Sequence, residues 1–382
     1  MVLFGADRVA EFSYLLSGRV ALLTGPSGRT SGNEPTIDVL LKRCCDLRLL
    51  LAPEHGVRGD KAAGALFADE TDPESGLTVR SLYTKTSKRL SAETLALFDT
   101  LVYDIADVGC RYYTFLSTLR YCIEDCAAAG KRLVVLDRPN PLGDRVEGGL
   151  LRPETASFVG GYEMPVCYGL TCGELAEMMN AELGCGCDLQ IVPCANLTRA
   201  CTFRDWGHYW VTPSLGIPRF ETALLYPGTC LIEGTNLSEG RGTSDPFAIL
   251  GAPFIRAEGF SRAFNALGCP GVEATPMYFV PTTSKHQGTL CGGIQLHILD
   301  EREIRPVAMG VKLLDLLRRM YPADFRFLDP VRQDGKPFIS LLAGHRDFEN
   351  PAWDADTLLA RYDAESRAFR ERKAAYERYT KE

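Results

Sequence analysis

The stretch Pro53-Glu54-His55-Gly56-Val57-Arg58 puts a carboxyl, an imidazole and a guanidinium in one short turn, directly after the apolar run Leu47–Ala52. Two further apolar runs end the same way. Thr100–Ile105 delivers Asp104 and then Asp107, with Arg111 and Tyr112 following; Arg132–Asp137 delivers Asp137, Arg138 and, between two prolines, Asn140. A fourth concentration is the Gly- and Thr-rich segment Tyr226–Thr243, with Glu233, Asn236, Glu239 and Arg241. Carboxyls at strand ends suit proton transfer, because partial burial raises their pKa toward the working range. Glu54, Asp104 and Asp107 are therefore candidate catalytic groups, and Glu233, from the fourth concentration, is taken with them.

Arginine at a rigid strand end offers a planar, two-pronged hold on a carboxylate or phosphate. The candidate substrate-binding residues are His55, Arg58, Arg111, Tyr112, Asp137, Arg138, Asn140, Asn236, Arg241 and His286. Several have a bracing alternative. Asp104 lies inside an apolar strand, where an unpaired carboxylate is costly, so Arg111 is a natural ion-pair partner for it or for Asp107. Asp107 is also placed to cap the helix that follows. An Asp137–Arg138 pair would brace its own turn. Residues 226–256 read as ordered loop; long loops inside a compact domain are usually functional, and the Asn, Thr and Glu of Tyr226–Thr243 suit sugar hydroxyls and amides. Ser284-Lys285-His286 adds polar groups from the second half.

These residues need elements to hold them. Strand-like runs at Arg19–Thr24, Leu47–Ala52, Thr100–Ile105, Arg132–Asp137 and Leu189–Pro193 alternate with helical patterns at Glu34–Cys45, from Ser91, at Thr114–Ala129 and at Thr171–Leu183. Near-continuous apolar strands separated by helices predict an α/β fold, a parallel sheet covered on both faces. In such sheets ligands bind outside the carboxyl ends of the strands, the edge where three of these clusters lie. The second half predicts a smaller α+β domain, with β-runs at Pro276–Pro281 and Gly292–Leu299 and helices at Val307–Met320 and Thr357–Tyr379. The expected domains are 1–235 and 236–382.

Bulk properties narrow the function. The chain has 382 residues, 46% hydrophobic and 24% charged, with a net charge of −7. The acidic balance argues against a nucleic-acid partner, and no apolar run has the length of a membrane helix. The N-terminus lacks a basic-then-apolar export pattern, so a cytoplasmic location is expected. The fourteen cysteines form no recognisable disulfide framework and are expected to be mostly buried thiols. Cys185-x-Cys187 is too close for a standard zinc pair, and the pattern His-Glu-x-x-His is absent. Gly25-x-x-Gly28 follows the first strand, but neither phosphate-loop nor dinucleotide wording is present. No metal or nucleotide cofactor is expected, and oligomeric state is left open.

The wording of the motifs carries a resemblance. PEHGVRGD, YDIADVGCRYYTFLSTL, VLDRPNPLGDRVEGG, PVCYGLTCGELAEMMN, TPSLGIP, YPGTCLIEGTNLSEGRGTSDPF, LGAPFI and VPTTSKHQGTLCGGIQLHI together resemble the NamZ-type exo-β-N-acetylmuramidases, a glycoside hydrolase family. The resemblance runs from about residue 19 to the C-terminal helix. It implies a Rossmann-like N-terminal domain, a smaller C-terminal domain and a cleft between them. The implied activity is release of N-acetylmuramic acid from the non-reducing end of peptidoglycan fragments, with no metal or nucleotide. Glu54 falls on the family's PEHG position and is the leading catalytic acid. Asp104, Asp107, Arg111 and Tyr112 fall on its D-x-x-D-x-G-x-R-[FY] stretch, and Glu233 and Asn236 on E-G-T-N. Two departures touch the expected cleft: Tyr168 stands before Gly169 where the family suggests His, and the loop after the first strand reads TGPSGRTSGN rather than containing Asn-Gln-Thr-Gly.

Glycoside hydrolysis needs an acid for the leaving oxygen and a second group on the other face of the sugar. Asp104, Asp107 and Glu233 are equal candidates for that second group, and retaining, inverting and substrate-assisted routes remain open. One arginine among Arg58, Arg111, Arg138 and Arg241 is expected to hold the lactyl carboxylate, with Arg138 first for its rigid setting. The rival readings are another amino-sugar hydrolase or transferase and a non-catalytic wall-fragment binding protein.

Overall fold

Alternation along each apolar run decides what it packs against. Successive side chains of a strand face opposite sides, so Val20 and Leu22 enter one apolar cluster while Ala21 and Leu23 enter another. The same split separates Leu50 from Leu49 and Leu51, and Val134 from Leu133 and Val135. These runs are therefore central strands, buried on both faces. The structure is a computed structural model that describes residues 1–43, 46–61, 68–83, 87–330 and 335–380; Cys44 and Cys45, at the end of the expected first helix, lie outside the described residues.

In chain order the elements of the first half are β1 (Arg19–Thr24), α1 (Thr36–Lys42), β2 (Asp46–Ala52), β3 (Glu70–Thr71), β4 (Thr78–Ser81), α2 (Ala92–Leu95), β5 (Thr100–Asp104), α3 (Phe115–Ala128), β6 (Arg132–Leu136), β7 (Val146–Glu147), β8 (Cys167–Tyr168), α4 (Cys172–Glu182) and β9 (Asp188–Val192). Seven strands form one sheet in the order β3-β4-β2-β1-β5-β6-β9. Every pairing in it is parallel except β3 with β4. The order reverses between β1 and β5, the switch point where sheets of this class open a crevice. Local signals set the helix starts. Ser91 accepts from the Thr94 N–H before α2, and Thr171 and Glu174 form a capping box at α4.

The second half holds α5 (Phe220–Thr229), β10 (Ile249–Ala252), α6 (Ala257–Asn265), β11 (Val272–Phe279), β12 (Cys291–Ile298), α7 (Pro306–Met320), α8 (Phe338–Ala343) and α9 (Ala355–Lys373). Its three-stranded sheet has the order β10-β12-β11, all antiparallel. The larger apolar cluster continues from α3 and α4 through α5 and α7 to this sheet, so the core runs unbroken past residue 235.

The expectation of an irregular segment over 226–256 needs correcting. Residues up to Thr229 belong to α5, a 3-10 turn spans Cys230–Gly234, and β10 lies further on. Pro227 and Gly228 read as breakers, yet both serve packing inside the last turn of α5. The Pro227 carbonyl accepts the Tyr112 hydroxyl. Gly228 lets α5 touch α7, since a Cβ there would lie 1.9 Å from the Pro306 oxygen. The close approach fixes the start of the turn that carries Glu233.

Candidate active site

Glu54 leaves the sheet two residues after β2, in a turn with unusual backbone. His55 has φ +91° and Gly56 φ +75°. A non-glycine residue there is strained by roughly 1–3 kcal/mol, a cost usually found where function over-determines the conformation. The Thr114 hydroxyl, just before α3, donates to Glu54 Oε2 at 3.3 Å. Across from this turn, the 3-10 turn after α5 presents Glu233. Arg241 donates to Glu233 Oε1 through Nε at 2.9 Å and lies 4.9 Å over the Phe247 ring. Glu54, His55, Tyr112, Tyr113, Glu233 and Arg241 together line a cavity of about 190 Å³, closed on another side by Phe338 and Leu342 of α8. By the liquid volume of water that is room for about six molecules, the scale of one pyranose ring.

The other candidates lie outside this cavity. Arg138 is 6% exposed and grips the fully buried Asp104, with Nε to Oδ1 at 2.5 Å and a terminal nitrogen to Oδ2 at 2.9 Å. Thr36 also donates to Asp104. The two thus form a closed ion pair under the carboxyl edge of the sheet, and Arg138 is not the arginine that faces the cavity. Arg58 pairs with Asp72 at 2.8 and 2.9 Å. Asn140 spans its turn, accepting from Leu142 N and donating to the Leu170 oxygen. Asn236 bonds the backbone of Asp324 and Arg326, and a ring nitrogen of His286 lies 2.7 Å from the Asn236 oxygen. Lys285 donates to the carbonyls of Ile232 and Thr235, both at 2.9 Å. Lys285 and His286 therefore hold the backbone of the Glu233 turn from the second half of the chain.

Residues 20–221 match the family described as "Exo-beta-N-acetylmuramidase NamZ, N-terminal" and residues 224–379 its C-terminal counterpart. The chain belongs to the NamZ family. It is 43% identical, over 81% of its length and 75% of the relative's, to a protein of Bacillus subtilis named peptidoglycan β-N-acetylmuramidase NamZ. Two crystal structures of DUF1343 family proteins from Bacteroides fragilis are similar throughout. One is 30% identical with a TM-score of 0.89, covering 99% of each chain. The other is 28% identical with a TM-score of 0.78, covering 100% of each.

In this NamZ-family chain Arg111 is buried and faces no carboxylate among the described residues. Its two terminal nitrogens donate instead to four carbonyls: Gly149 at 2.7 Å, Met164 at 2.6 Å, Leu342 at 3.0 Å and Ala343 at 2.7 Å. Arg111 thereby pins α8, a wall of the cavity, to the sheet domain. Gly344 ends α8 with φ +82°, and a Cβ there would lie 2.6 Å from the guanidinium. Arg111→Met leaves four buried acceptors without their donor and is expected to lower unfolding free energy by about 3–5 kcal/mol in urea titrations.

Asp137 is likewise structural. It accepts from Thr171 Oγ1 at 2.8 Å, Gly173 N at 2.7 Å, Arg138 N at 2.9 Å and Tyr379 OH at 2.5 Å. Burial pushes its pKa up to about 6, against hydrogen bonds from Tyr379 and Gly173 that pull it down. The native state then binds this proton more tightly than the unfolded chain between roughly pH 4 and 6, so its contribution to stability falls as pH rises through that window. The stability gap between wild type and Asp137→Asn should shift toward the variant by up to about 3 kcal/mol from pH 4 to pH 7. Parallel urea titrations at the two pH values check this.

Residue type alone did not single out Tyr113, Thr114, Ser214 or Tyr226, all of which line the cavity. Each lies inside a motif quoted above, so motif wording was the available signal. Lys285, a positioning residue for the turn, also lies inside a quoted motif, but its polarity alone did not show that role.

Proposed function

We propose that the chain is an exo-acting glycoside hydrolase that releases N-acetylmuramic acid from the non-reducing end of peptidoglycan fragments. The observation that carries this reading is the cavity that Glu54 and Glu233 line from two parts of the chain, with Arg241 beside them. A cavity sized for one ring suits a terminal sugar rather than a chain threaded through. Family membership and the B. subtilis relative support the substrate class.

In this reading Glu54 protonates the glycosidic oxygen as the C–O bond breaks, so the leaving sugar departs as a neutral alcohol. Glu233, its charge balanced by Arg241, faces the positive charge that develops at the anomeric carbon, and water completes the hydrolysis, its hydroxyl bonding that carbon and its proton replacing the one given to the leaving sugar. The anomer released, read by proton NMR within the first minutes, distinguishes inversion from the two retaining routes. Arg241 has a second role. It is the one arginine among the described residues lining this cavity, and it receives the lactyl carboxylate that distinguishes muramic acid from glucosamine. The compartment we propose is the cytoplasm, supported by twelve described cysteines that stand as free thiols, the state of reducing compartments.

The test is hydrolysis of a chromogenic β-N-acetylmuramide against the matching β-N-acetylglucosaminide. The wild type is expected to prefer the muramide strongly, and Arg241→Gln to reduce that preference by roughly 10–100-fold, the worth of a charged hydrogen bond. No turnover of either glycoside would remove the proposed activity. Equal wild-type rates on both would remove the lactyl role of Arg241.

A further inference from the structure

A second cavity, of about 60 Å³, lies at the switch point of the sheet, beyond the carboxyl ends of β1 and β5. Phe4, Phe203, Trp206, Tyr209 and Trp210 give its lining an aromatic part. Phe203 packs edge-on against Trp206 and Trp210, with centroids 5.3 and 5.2 Å apart, and Phe4 closes on Trp206 at 6.1 Å. Ser27, Arg29, Thr30, Asp107 and Arg138 add polar groups to the lining, and two polar atoms of the lining residues are orphaned. The Trp206 Nε1–H and Asp107 Oδ1 are both buried and make no hydrogen bond among the described residues. Trp206 is 8% exposed and Asp107 7%. Asp107 is otherwise held firmly: its Oδ2 accepts from Gly109 N at 2.6 Å and from the Tyr168 hydroxyl. Tyr168 is the residue that departs from the His suggested by the family wording, and it leaves Oδ1 unsatisfied.

Buried polar groups are nearly always hydrogen-bonded, and an orphan calls for an explanation. Here one donor and one acceptor stand unpaired on residues that line the same cavity. The volume is that of about two waters, the scale of a group of four heavy atoms. An acetamido group has a carbonyl for the indole N–H, an N–H for the carboxylate oxygen, and a methyl for the aromatic wall.

The cavity neighbours the one that holds Glu54. Trp210, Val211 and Pro213 line the small cavity, while Ser214, Gly216 and Ile217 of the same segment line the larger one. The turn after β1 packs on the Glu54 turn, where a Cβ on Gly59 would meet the Pro26 ring at 3.2 Å. Tyr113, in the larger cavity, lies within the electrostatic field of both Glu54 and Asp107.

We propose that the cavity between Trp206 and Asp107 is a recognition pocket for an acetamido group of the amino-sugar substrate. The inference rests on the hydrolase reading above and extends it to a second set of residues. The acetamido group has two possible carriers, the muramic acid itself and the sugar to which it is linked.

The test uses Trp206→Phe, which keeps an aromatic wall and removes the donor together with part of the indole's volume. Two substrate pairs are compared in kcat/KM. The first is N-acetylmuramyl-β-1,4-N-acetylglucosamine against the same glycoside with glucose as leaving sugar. The second is N-acetylmuramyl β-fluoride against its 2-hydroxy counterpart, which has no leaving sugar. The wild type is expected to prefer the acetamido member of one pair by roughly 10–100-fold or more, and Trp206→Phe to cut that preference at least about 5-fold. Collapse of the first ratio assigns the pocket to the leaving sugar; collapse of the second assigns it to muramic acid. General damage to the fold slows both members of a pair and leaves the ratios in place. Ratios in the variant equal to those of an active wild type overturn the pocket, the orphans then being satisfied by water. A wild type inactive on every muramide instead overturns the hydrolase reading.

Discussion

Glu54→Gln is expected to lower kcat on N-acetylmuramyl-β-1,4-N-acetylglucosamine by about 10³-fold, within the range of roughly 10²–10⁴ that a positioned general acid supplies. The amide keeps the size of the side chain and its acceptor for the Thr114 hydroxyl, so the fold should survive. What it loses is the proton. A sugar alkoxide leaves poorly and needs that proton, whereas fluoride departs with little help. The same variant should therefore retain most of its activity on N-acetylmuramyl β-fluoride. A purely structural role for Glu54 would depress both substrates alike, and steady-state kinetics on the pair separates the two.

Glu233→Gln should give the second largest loss, about 10²–10³-fold, with the opposite leaving-group pattern. Glu233 acts on the anomeric carbon, so its removal slows the disaccharide and the fluoride together. The variant also removes the charge that Arg241 contacts at 2.9 Å, leaving Arg241 with Glu239 at 3.6 Å. Substrate binding should change less than turnover, because the freed guanidinium can still receive the lactyl group. Initial rates across a substrate series, with kcat and KM read separately, check this. Unchanged kcat on both substrates would move the second catalytic role away from Glu233.

Much of the fold was legible because the signal was local. Continuous apolar runs of five to seven residues cannot present a polar face, so they imply strands covered on both sides. The strand-end position of Glu54 followed from the same pattern. The depth and direction of side chains were not legible. Asp104 and Arg138 carry the residue types of a catalytic pair, yet they close on each other beneath the sheet edge. Arg111 reads as a carboxylate partner, yet it spends its donors on four carbonyls. Whether an arginine braces or binds depends on which backbone comes near it, and that contact joins residues more than 200 positions apart for Arg111 and Leu342. Glu233 was misread in its setting rather than its type. Pro227 and Gly228 look like loop residues, and only the Tyr112 hydrogen bond to the Pro227 carbonyl and the contact between α5 and α7 at Gly228 show why a helix keeps them.

The catalytic role of the cavity shared by Glu54, Glu233 and Arg241 is tested most directly by a crystal structure of the Glu54→Gln variant with N-acetylmuramyl-β-1,4-N-acetylglucosamine bound. The anomeric carbon is expected between the side chains of residue 54 and Glu233, with the lactyl carboxylate on Arg241. A muramic acid ring seated elsewhere, with neither carboxylate position near its anomeric carbon, would contradict it.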